Sequence, residues 1–253
     1  MTSGGTSEAG RVGTMASNMV ALLGASPVLL SNAGGTAGIA YRRGPTVPAG
    51  YVAGPPIPSA PSGTLTGMDA SFTGSVFLGM SVDGFIARLD GDLSWLTGSD
   101  EAGGAPDDGA GGDFGFSEFV SGIDALVMGR STYEVIAPMD EWPYQGKPVH
   151  VVSTTLEPGA DDRITVHGSF DDAVAALTTA GYRRVYVDGG RMVHTFLTAG
   201  LIADLTLSRV PVLIGEGHTP FGALPADVPL EHERTEVFPG GMVQTTYRVR
   251  REG

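Results

Sequence analysis

The sequence predicts an α/β fold, because short apolar segments alternate with amphipathic segments from Phe72 onward. At two places, after Met128 and after Asp188, an apolar run of strand length is followed by glycine and then by a helical pattern. The chain then ends in two segments of alternating polar and apolar residues joined by Pro239-Gly240-Gly241. That pattern indicates an antiparallel hairpin at the edge of the sheet.

Composition limits the classes of partner. With 253 residues and 42% apolar residues, the chain can bury a substantial core as one domain. The net charge of −13 argues against a nucleic-acid partner, because phosphate backbones would be repelled. The absence of cysteine excludes disulfides and thiolate chemistry but does not fix the compartment. The histidines are scattered without metal-ligand spacing, so no metal site is predicted.

Residues 1–70 differ from the rest, because Gly, Ser, Ala and Pro dominate them. We predict a low-complexity extension with little fixed structure there, followed by a domain over residues 71–253. The apolar segment Met19–Leu30 is too short to span a bilayer, so no membrane partner is predicted. A secretory signal, or a true start at Met68, are the alternatives for this segment.

The first elements of the domain are a strand, a turn and a loop. Residues 75–80 form an apolar run that predicts the first core strand. Asp83 follows it, and either caps a turn or projects a carboxylate into a cleft. Residues 90–112, rich in Asp and Gly, predict a mobile surface loop anchored by an apolar segment around Trp95. Phe116, Phe119 and Val120 then have the spacing of a short amphipathic helix.

The first strand-to-helix junction combines a turn, hydroxyl groups and a cation. Gly129 lets the backbone turn after the strand, and Ser131 or Thr132 could cap the next helix, with Glu134 at capping-box spacing. Arg130 adds a full positive charge to the N–H groups of a helix start. The junction either binds a phosphate or is an ordinary connection with a solvated arginine.

The remaining segments repeat this pattern. Residues 148–155 predict a buried strand that ends in three hydroxyl side chains, followed by a short strand at 164–167 and a helix at 170–180. A strand at 184–188 then leads into Gly189 and Gly190, which either admit a ligand close to the backbone or make a tight turn. Residues 204–213 predict a further strand before the hairpin.

The order of these motifs is more specific than any one of them. They are Ser81–Ala87, Met128–Glu134, Val152–Thr155, Val187–Gly190 and Pro211–Gly217. In this order the chain resembles the dihydrofolate-reductase-like family. The resemblance covers about residues 72–250 and is to the branch related to the reductase domain at the C-terminus of bifunctional riboflavin-biosynthesis deaminase/reductase proteins.

The resemblance implies a mostly parallel twisted sheet with flanking helices and a C-terminal antiparallel hairpin. It also implies NADPH bound across the carboxyl ends of the strands. The cofactor-binding positions would be Gly129, Arg130, Ser131 and Thr132 at the phosphates, Ser153, Thr154 and Thr155 near the 2′-phosphate, and Gly189, Gly190, Arg191 and Met192 along the pyrophosphate and nicotinamide. The two glycine bends would then meet around one reduced dinucleotide.

The reaction implied is hydride transfer to a C=N or C=O bond of a small heterocyclic or ribose-linked substrate. One candidate is the 5-amino-6-(5-phosphoribosylamino)uracil reductase step of riboflavin biosynthesis. Asp83 and Asp113 are the candidate catalytic residues, and Asp83, Trp95 and Glu118 the candidate substrate contacts. Asp113 and Glu118 match the carboxylate of folate reductases only roughly in register, which argues against folate itself.

The sequence leaves open two alternatives to an NADPH-dependent reductase. One is a flavin- or deazaflavin-dependent reductase on the same fold, and the other is a catalytically silent nucleotide-binding module. A reductase of this kind is expected to be cytoplasmic and to act on a small molecule. The sequence does not decide whether it forms a homodimer.

Overall fold

The computed structural model describes residues 70–97, 113–139, 142–144 and 146–250. In this part of the chain eight strands form one sheet in the order β4-β3-β2-β5-β1-β6-β8-β7. The strands are β1 Thr73–Ser81, β2 Ala125–Gly129, β3 Val149–Val152, β4 Thr165–His167, β5 Arg184–Asp188, β6 Ile202–Val210, β7 Leu230–Val237 and β8 Val243–Val249. The six from β4 to β6 are parallel, and β8 and β7 add an antiparallel hairpin. The predicted fold class is confirmed.

Five α-helices flank the sheet within the described ranges. They are α1 Ser94–Thr97, α2 Phe116–Ser121, α3 Arg130–Ile136, α4 Phe170–Thr179 and α5 Gly190–Thr198. None of the helices that the structure describes is long and apolar enough to cross a membrane.

The helices bury the two faces of the sheet separately. On one face, Val76 and Leu78 of β1 pack with the apolar residues of α4 and α5. On the other face, Phe77 of β1 and Tyr186 of β5 pack with the apolar residues of α2 and α3. Strands buried on both faces have near-continuous apolar sequences, which is why β1, β2 and β5 could be read from the sequence.

The parallel arrangement brings the carboxyl ends of the strands to one edge of the sheet. Met128 lies opposite Asp188 in the β2–β5 pair, and Gly129 lies opposite Val152 in the β2–β3 pair. The bends after β3, β2 and β5 are therefore neighbours. Ligands of open α/β sheets bind in a crevice outside this edge.

The start of α3 differs from the prediction. β2 continues through Gly129 and α3 begins at Arg130, so Gly129 itself is the N-cap and no side chain caps the helix. The predicted cap at Ser131 or Thr132 is wrong, because both residues already lie in the first helical turn. Glu134 pairs with Arg130 one turn away, with 3.5 Å between Nε and Oε1.

The predicted loop at 90–112 is described only as far as Thr97, and its central part lies outside the described residues. Its apolar anchor forms the short helix α1. Leu96 of α1 packs against Gly79 of β1, where an added Cβ would lie 3.0 Å from Leu96 Cδ1.

A pair of histidines joins β3 to β4, with His150 buried and His167 half-buried. His150 Nδ1 and His167 Nε2 lie 2.8 Å apart, and the two rings stack with 5.0 Å between centroids. The ring of Tyr182 packs against His150, and Asp172 is the charged group that acts on His167. Burial, followed by the neighbouring His167, lowers the pKa of His150 from 6.5 to about 4. The pair is therefore neutral at pH 7.

We predict that this pair makes the protein sensitive to acid. Because the folded-state pKa of His150 is lowered, the pair stabilises the fold above pH 6.5, and this contribution is lost as the pH falls towards about 4. The variant His150→Phe keeps a ring but cannot titrate. Urea unfolding of His150→Phe should show a smaller loss of stability between pH 6.5 and 4.5 than the wild type. The control His232→Phe, at an exposed position of β7, should behave as the wild type. Equal pH dependence in all three proteins would contradict the assignment.

Candidate functional site

The site is built on three neighbouring bends at the carboxyl edge of the sheet. The first bend follows β2 and carries Arg130, and the second follows β3 and carries Thr155. Arg130 Nη1 donates a hydrogen bond to Thr155 Oγ1 at 2.9 Å. A guanidinium group and a hydroxyl group therefore lie side by side at the surface. This is a donor set that suits a phosphate.

The hydroxyl groups after β3 have different roles. Ser153 Oγ accepts the N–H groups of Thr155 at 3.2 Å and Leu156 at 2.9 Å, so Ser153 shapes the turn. Thr154 and Thr155 are exposed. Of the three predicted positions, Thr155 is the one that the structure joins to Arg130.

The third bend follows β5 and touches the first one. Gly189 has φ +84° and ψ 136°, a conformation that residues with a side chain rarely adopt. A Cβ atom added to Gly189 would overlap the hydroxyl oxygen of Thr132 in the first turn of α3. The structure therefore brings the two predicted glycine bends together, with the hydroxyl of Thr132 between them.

Gly190 and Gly129 have different surroundings. A Cβ on Gly190 would lie 2.8 Å from the carbonyl oxygen of Thr219 and 3.0 Å from Ile86 Cδ1. The space in front of Gly190 is thus filled by the loops that follow β1 and β6. A Cβ on Gly129 would lie 4.0 Å from Met192 Cγ, which is an ordinary van der Waals contact. Of these two glycines, Gly190 is therefore the one that close packing requires.

The two remaining predicted positions of α5 point in different directions. Met192 is 1% exposed and packs in the core behind the bend. Arg191 is exposed, and its carbonyl accepts the hydroxyl of Thr195. Arg191 is therefore accessible to solvent next to the third bend, whereas Met192 supports the bend from below.

Asp83 ties two loops together at the same edge. Its exposed carboxylate accepts the N–H of Gly215 at 2.8 Å and of Ile214 at 3.2 Å. The hydroxyl of Ser81 lowers the pKa of Asp83 most; burial has the next-largest effect and opposes it, and the N–H groups of Gly215 and Ile214 lower the pKa further. Its observed contacts are those of a residue that fixes the conformation of the loops after β1 and β6.

The other predicted substrate residues lie on the α2/α3 side of the sheet. Asp113 accepts the N–H groups of Gly115 at 3.0 Å and Ser117 at 2.6 Å, and so caps the start of α2. Burial alone would raise the pKa of Asp113, but the hydrogen bonds from Ser117 and Gly115 outweigh it and lower the pKa. Glu118 is exposed on α2, and Trp95 is 1% exposed in a small core cluster with Val210 and Met242. The described contacts of these residues are not with the three bends.

Asp188 is a residue of the site that the sequence analysis did not single out. It ends β5 directly before Gly189, and it is 5% exposed. The hydroxyl of Tyr144 donates to Asp188 Oδ2 at 3.3 Å. Burial raises the pKa of Asp188 to about 6, against the opposing effect of the Gly189 N–H and nearby hydroxyls. In the sequence, the position of Asp188 directly after an apolar strand and before two glycines could have indicated it as a site residue.

A mostly parallel sheet with this strand order, a C-terminal hairpin and polar bends at the carboxyl edge defines a dihydrofolate-reductase-like α/β domain. The family model for the RibD C-terminal domain matches residues 73–244, and the chain belongs to this family. The resemblance predicted from the order of the motifs is thereby confirmed.

Similar proteins include two from Bacillus subtilis (strain 168). The uncharacterized protein YwjB is 30% identical over 177 residues, which are 68% of this chain and 95% of YwjB. The uncharacterized protein YyaP is 25% identical over 183 residues, which are 67% of this chain and 91% of YyaP.

Solved structures of similar proteins have the same fold. A Shewanella sp. PV-4 protein named for riboflavin biosynthesis is 34% identical, with a TM-score of 0.63 over 71% of this chain and 100% of that chain. A Thermotoga maritima diaminohydroxyphosphoribosylaminopyrimidine deaminase/5-amino-6-(5-phosphoribosylamino)uracil reductase is 14% identical, with a TM-score of 0.52 over 71% of this chain and 57% of that chain. The second comparison shows likeness of fold alone.

We predict that Gly189→Ala destabilises the fold more than an alanine at another glycine with positive φ. Gly200 is the matched control, because it has φ +68° and nothing lies within 4 Å of an added Cβ. Gly200→Ala should cost about 1 kcal/mol, from backbone strain alone. Gly189→Ala should cost roughly 2 kcal/mol or more, because the new methyl group also collides with Thr132. Equal losses in urea unfolding would show that the two bends are not in contact.

A second prediction concerns the buried carboxyl group. Because the folded-state pKa of Asp188 lies above the ordinary value of 3.8, its stabilising contribution is complete below about pH 4 and is lost as the pH rises through about 6. The loss is of the order of 3 kcal/mol. Asp188→Asn should therefore be more stable than the wild type at pH 8, and this advantage should shrink at pH 5.

The measurement is urea unfolding at the two pH values. Asp171→Asn is the control, because Asp171 is exposed in the first turn of α4. The stability difference between Asp171→Asn and the wild type should be the same at pH 8 and at pH 5. An Asp188→Asn variant whose difference from the wild type does not change with pH would rule out a neutral carboxyl group at this position.

Proposed function

We propose that this chain is an NADPH-dependent reductase that transfers a hydride to a C=N or C=O bond of a small heterocyclic or ribose-linked substrate. Membership of the RibD C-terminal domain family supports a reductase-like activity. The observation that carries the proposal is the direct contact of the three bends, through Arg130 with Thr155 and through Thr132 with Gly189. One extended ligand with several phosphates could bind along all three.

The residues at the edge fit the phosphates of NADPH. The chain has a net charge of −13, so an anionic ligand needs a local cation, and Arg130 supplies it beside the hydroxyl of Thr155. Besides its hydrogen bond to Thr155, Arg130 forms an ion pair with Glu134 at 3.5 Å, and both charged side chains are about half exposed. Exposed ion pairs contribute little, so a phosphate can displace Glu134 at small cost. Gly129 has no side chain that would keep a phosphate away from its backbone.

We infer from this arrangement which part of the cofactor each bend would hold. Arg130, Ser153, Thr154 and Thr155 would bind the 2′-phosphate end, and Gly129, Ser131 and Thr132 the pyrophosphate. Gly189 and Arg191 would form the side next to the nicotinamide, while Gly190, packed under the loops after β1 and β6, and the buried Met192 would support this bend. A guanidinium group pairs with phosphate through two parallel hydrogen bonds, which would favour NADPH over NADH.

When bound, NADPH supplies the hydride, and the protein positions it against the substrate. The carbon of the C=N or C=O bond accepts the hydride, and the nitrogen or oxygen of the same bond must then accept a proton. Asp188, with a pKa of about 6, keeps a proton directly beside Gly189 in mildly acidic solution.

We propose that Asp83 acts by holding the loops that pack in front of Gly190, since its carboxylate already accepts two N–H groups. Trp95, Asp113 and Glu118 remain candidates for substrate contact only if the substrate extends onto the α2/α3 side of the sheet.

The substrate class rests on the named relatives. The Shewanella protein is named for riboflavin biosynthesis and is 34% identical to this chain. We therefore propose a ribose-linked pyrimidine of the kind reduced in the 5-amino-6-(5-phosphoribosylamino)uracil reductase step.

Thermal unfolding with NADPH, NADH, FMN and a deazaflavin, each added separately, would identify the cofactor, because a ligand that binds the folded state raises the melting temperature.

We predict that Arg130→Ala weakens NADPH binding about tenfold to hundredfold, the range expected for loss of a hydrogen bond to a charged phosphate. NADH binding should change less than about threefold, since NADH lacks the 2′-phosphate. Cofactor fluorescence titration measures both dissociation constants. Arg183→Ala, at an exposed arginine on the opposite edge of the sheet, should leave both unchanged. An equal loss for the two cofactors, or no binding of NADPH by the wild type at millimolar concentration, would refute the proposal.

A further inference from the structure

Tyr144 is a buried tyrosine whose hydroxyl group contacts the acid of the site. Its side chain is 1% exposed on the α2/α3 side of the sheet, and its ring packs edge-to-face with the ring of Tyr186. The hydroxyl donates to Oδ2 of Asp188 at 3.3 Å. A buried tyrosine hydroxyl needs a hydrogen-bond partner, and here the partner is a carboxyl group at the end of β5, directly before the bend at Gly189.

The segment that carries Tyr144 is held on both sides of this residue. Trp142 packs edge-to-face against the Tyr144 ring, and the guanidinium group of Arg163 lies over Trp142, 4.4 Å from the ring centroid. After Tyr144, the Nζ of Lys147 donates to the carbonyl oxygen of Ile123 at 2.5 Å. These contacts fix the direction of the Tyr144 ring, and so they aim its hydroxyl at Asp188.

The groups that act on the carboxyl group of Asp188 in the described part of the chain are all hydrogen-bond donors. They are the N–H of Gly189 and the hydroxyls of Tyr144 and Tyr186. The single hydroxyl hydrogen of Tyr186 is already used, because it donates to the carbonyl oxygen of Phe77 at 2.9 Å. Tyr144 is therefore the side chain that donates directly to Asp188.

An acid gives up its proton readily only if the carboxylate that remains is stabilised. Burial raises the pKa of Asp188, whereas the N–H of Gly189 and the hydroxyl of Tyr144 act against burial, and the resulting pKa is about 6. The hydrogen bond from Tyr144 also makes Oδ2 an acceptor, which favours Oδ1 as the oxygen that carries the proton. Tyr144 thus influences both the acidity of Asp188 and the place of its proton.

We propose that Tyr144 is a positioning residue that prepares Asp188 to give its proton to the substrate. This inference rests on the proposed reductase function. As the hydride adds to the carbon of the C=N or C=O bond, the π electron pair moves to the nitrogen or oxygen. The Oδ1–H bond of Asp188 then breaks, and a new N–H or O–H bond forms. The hydroxyl of Tyr144 stabilises the carboxylate left behind, and solvent returns a proton to it after the product leaves.

Carbon-13 NMR of the full chain, labelled at the aspartate carboxyl carbons, follows the protonation of Asp188 directly, and Asp188→Asn assigns the signal. Tyr144→Phe removes only the hydroxyl group. It should raise the titration midpoint of Asp188 by about one pH unit, or about tenfold in proton affinity, the effect of losing a hydrogen bond to a charged group. Site-specific replacement of Tyr144 by 3-fluorotyrosine, a stronger donor that keeps the hydroxyl, should lower the midpoint even if Tyr144→Phe does not fold.

Tyr133→Phe is the matched control. Tyr133 also donates its hydroxyl to a carboxylate on the same side of the sheet, with 2.9 Å to Oδ2 of Asp161. This variant should leave the midpoint of Asp188 unchanged. The proposal would be overturned by a midpoint that stays the same in both Tyr144 variants, or by one that Tyr144→Phe and Tyr133→Phe move equally.

An assay of NADPH oxidation with 5-amino-6-(5-phosphoribosylamino)uracil separates this inference from the proposed function. If the acid form of Asp188 supplies the proton, kcat falls as the pH rises through its pKa. In Tyr144→Phe this fall should occur about one pH unit higher, with the KM for NADPH unchanged. A kcat profile that does not follow the NMR midpoint would overturn the role of Tyr144. A wild type without turnover, in a protein whose NMR midpoint still responds to Tyr144→Phe, would refute the reductase function instead.

Discussion

The register between β2 and β5 is the constraint on which the site depends. Met128 pairs with Asp188, so the residue after each of them begins a bend at the same height on the edge of the sheet. A shift of one residue would turn every side chain of β2 to the opposite face, where Leu126 and Met128 would no longer pack against Tyr186. The core therefore fixes the register, and the register sets the first bend against the third. The contact between Thr132 and Gly189 is a consequence of how the interior packs.

The carboxyl edge of the sheet carries one exposed basic group and one buried acidic group. Arg130 provides an exposed positive charge in a protein that is acidic as a whole, whereas Asp188 provides a buried acid whose pKa is raised to about 6 by burial. The electrostatic effects of Arg130 and Asp188 depend on different surroundings. The effect of Arg130 depends on solvent and salt, because it lies at the surface. The effect of Asp188 depends on its burial and on its hydrogen bonds from the hydroxyl of Tyr144 and the N–H of Gly189. The site thus combines an adjustable surface charge with a protected acid.

Local patterns in the sequence were sufficient for the fold but not for the roles within the site. Apolar runs and glycine positions predicted the strands, the helices and the hairpin, because these depend on neighbouring residues. The roles of Asp83 and Gly190 depend on Gly215 and Thr219, which are far away in sequence, so no local pattern could show that Asp83 fixes a loop or that Gly190 makes room for one. The cap of α3 was missed because β2 continues directly into the helix, which leaves no place for a capping side chain.

We propose that the bends after β3, β2 and β5 hold a single reduced dinucleotide. A crystal structure of the protein grown with NADPH tests it most directly. We expect the 2′-phosphate to lie within hydrogen-bonding distance of Arg130 and Thr155, and the pyrophosphate to lie on the outer side of the bends at Gly129 and Gly189, next to the hydroxyl of Thr132. A dinucleotide bound elsewhere on the molecule, or a site that stays empty with millimolar NADPH in the crystal, would contradict it.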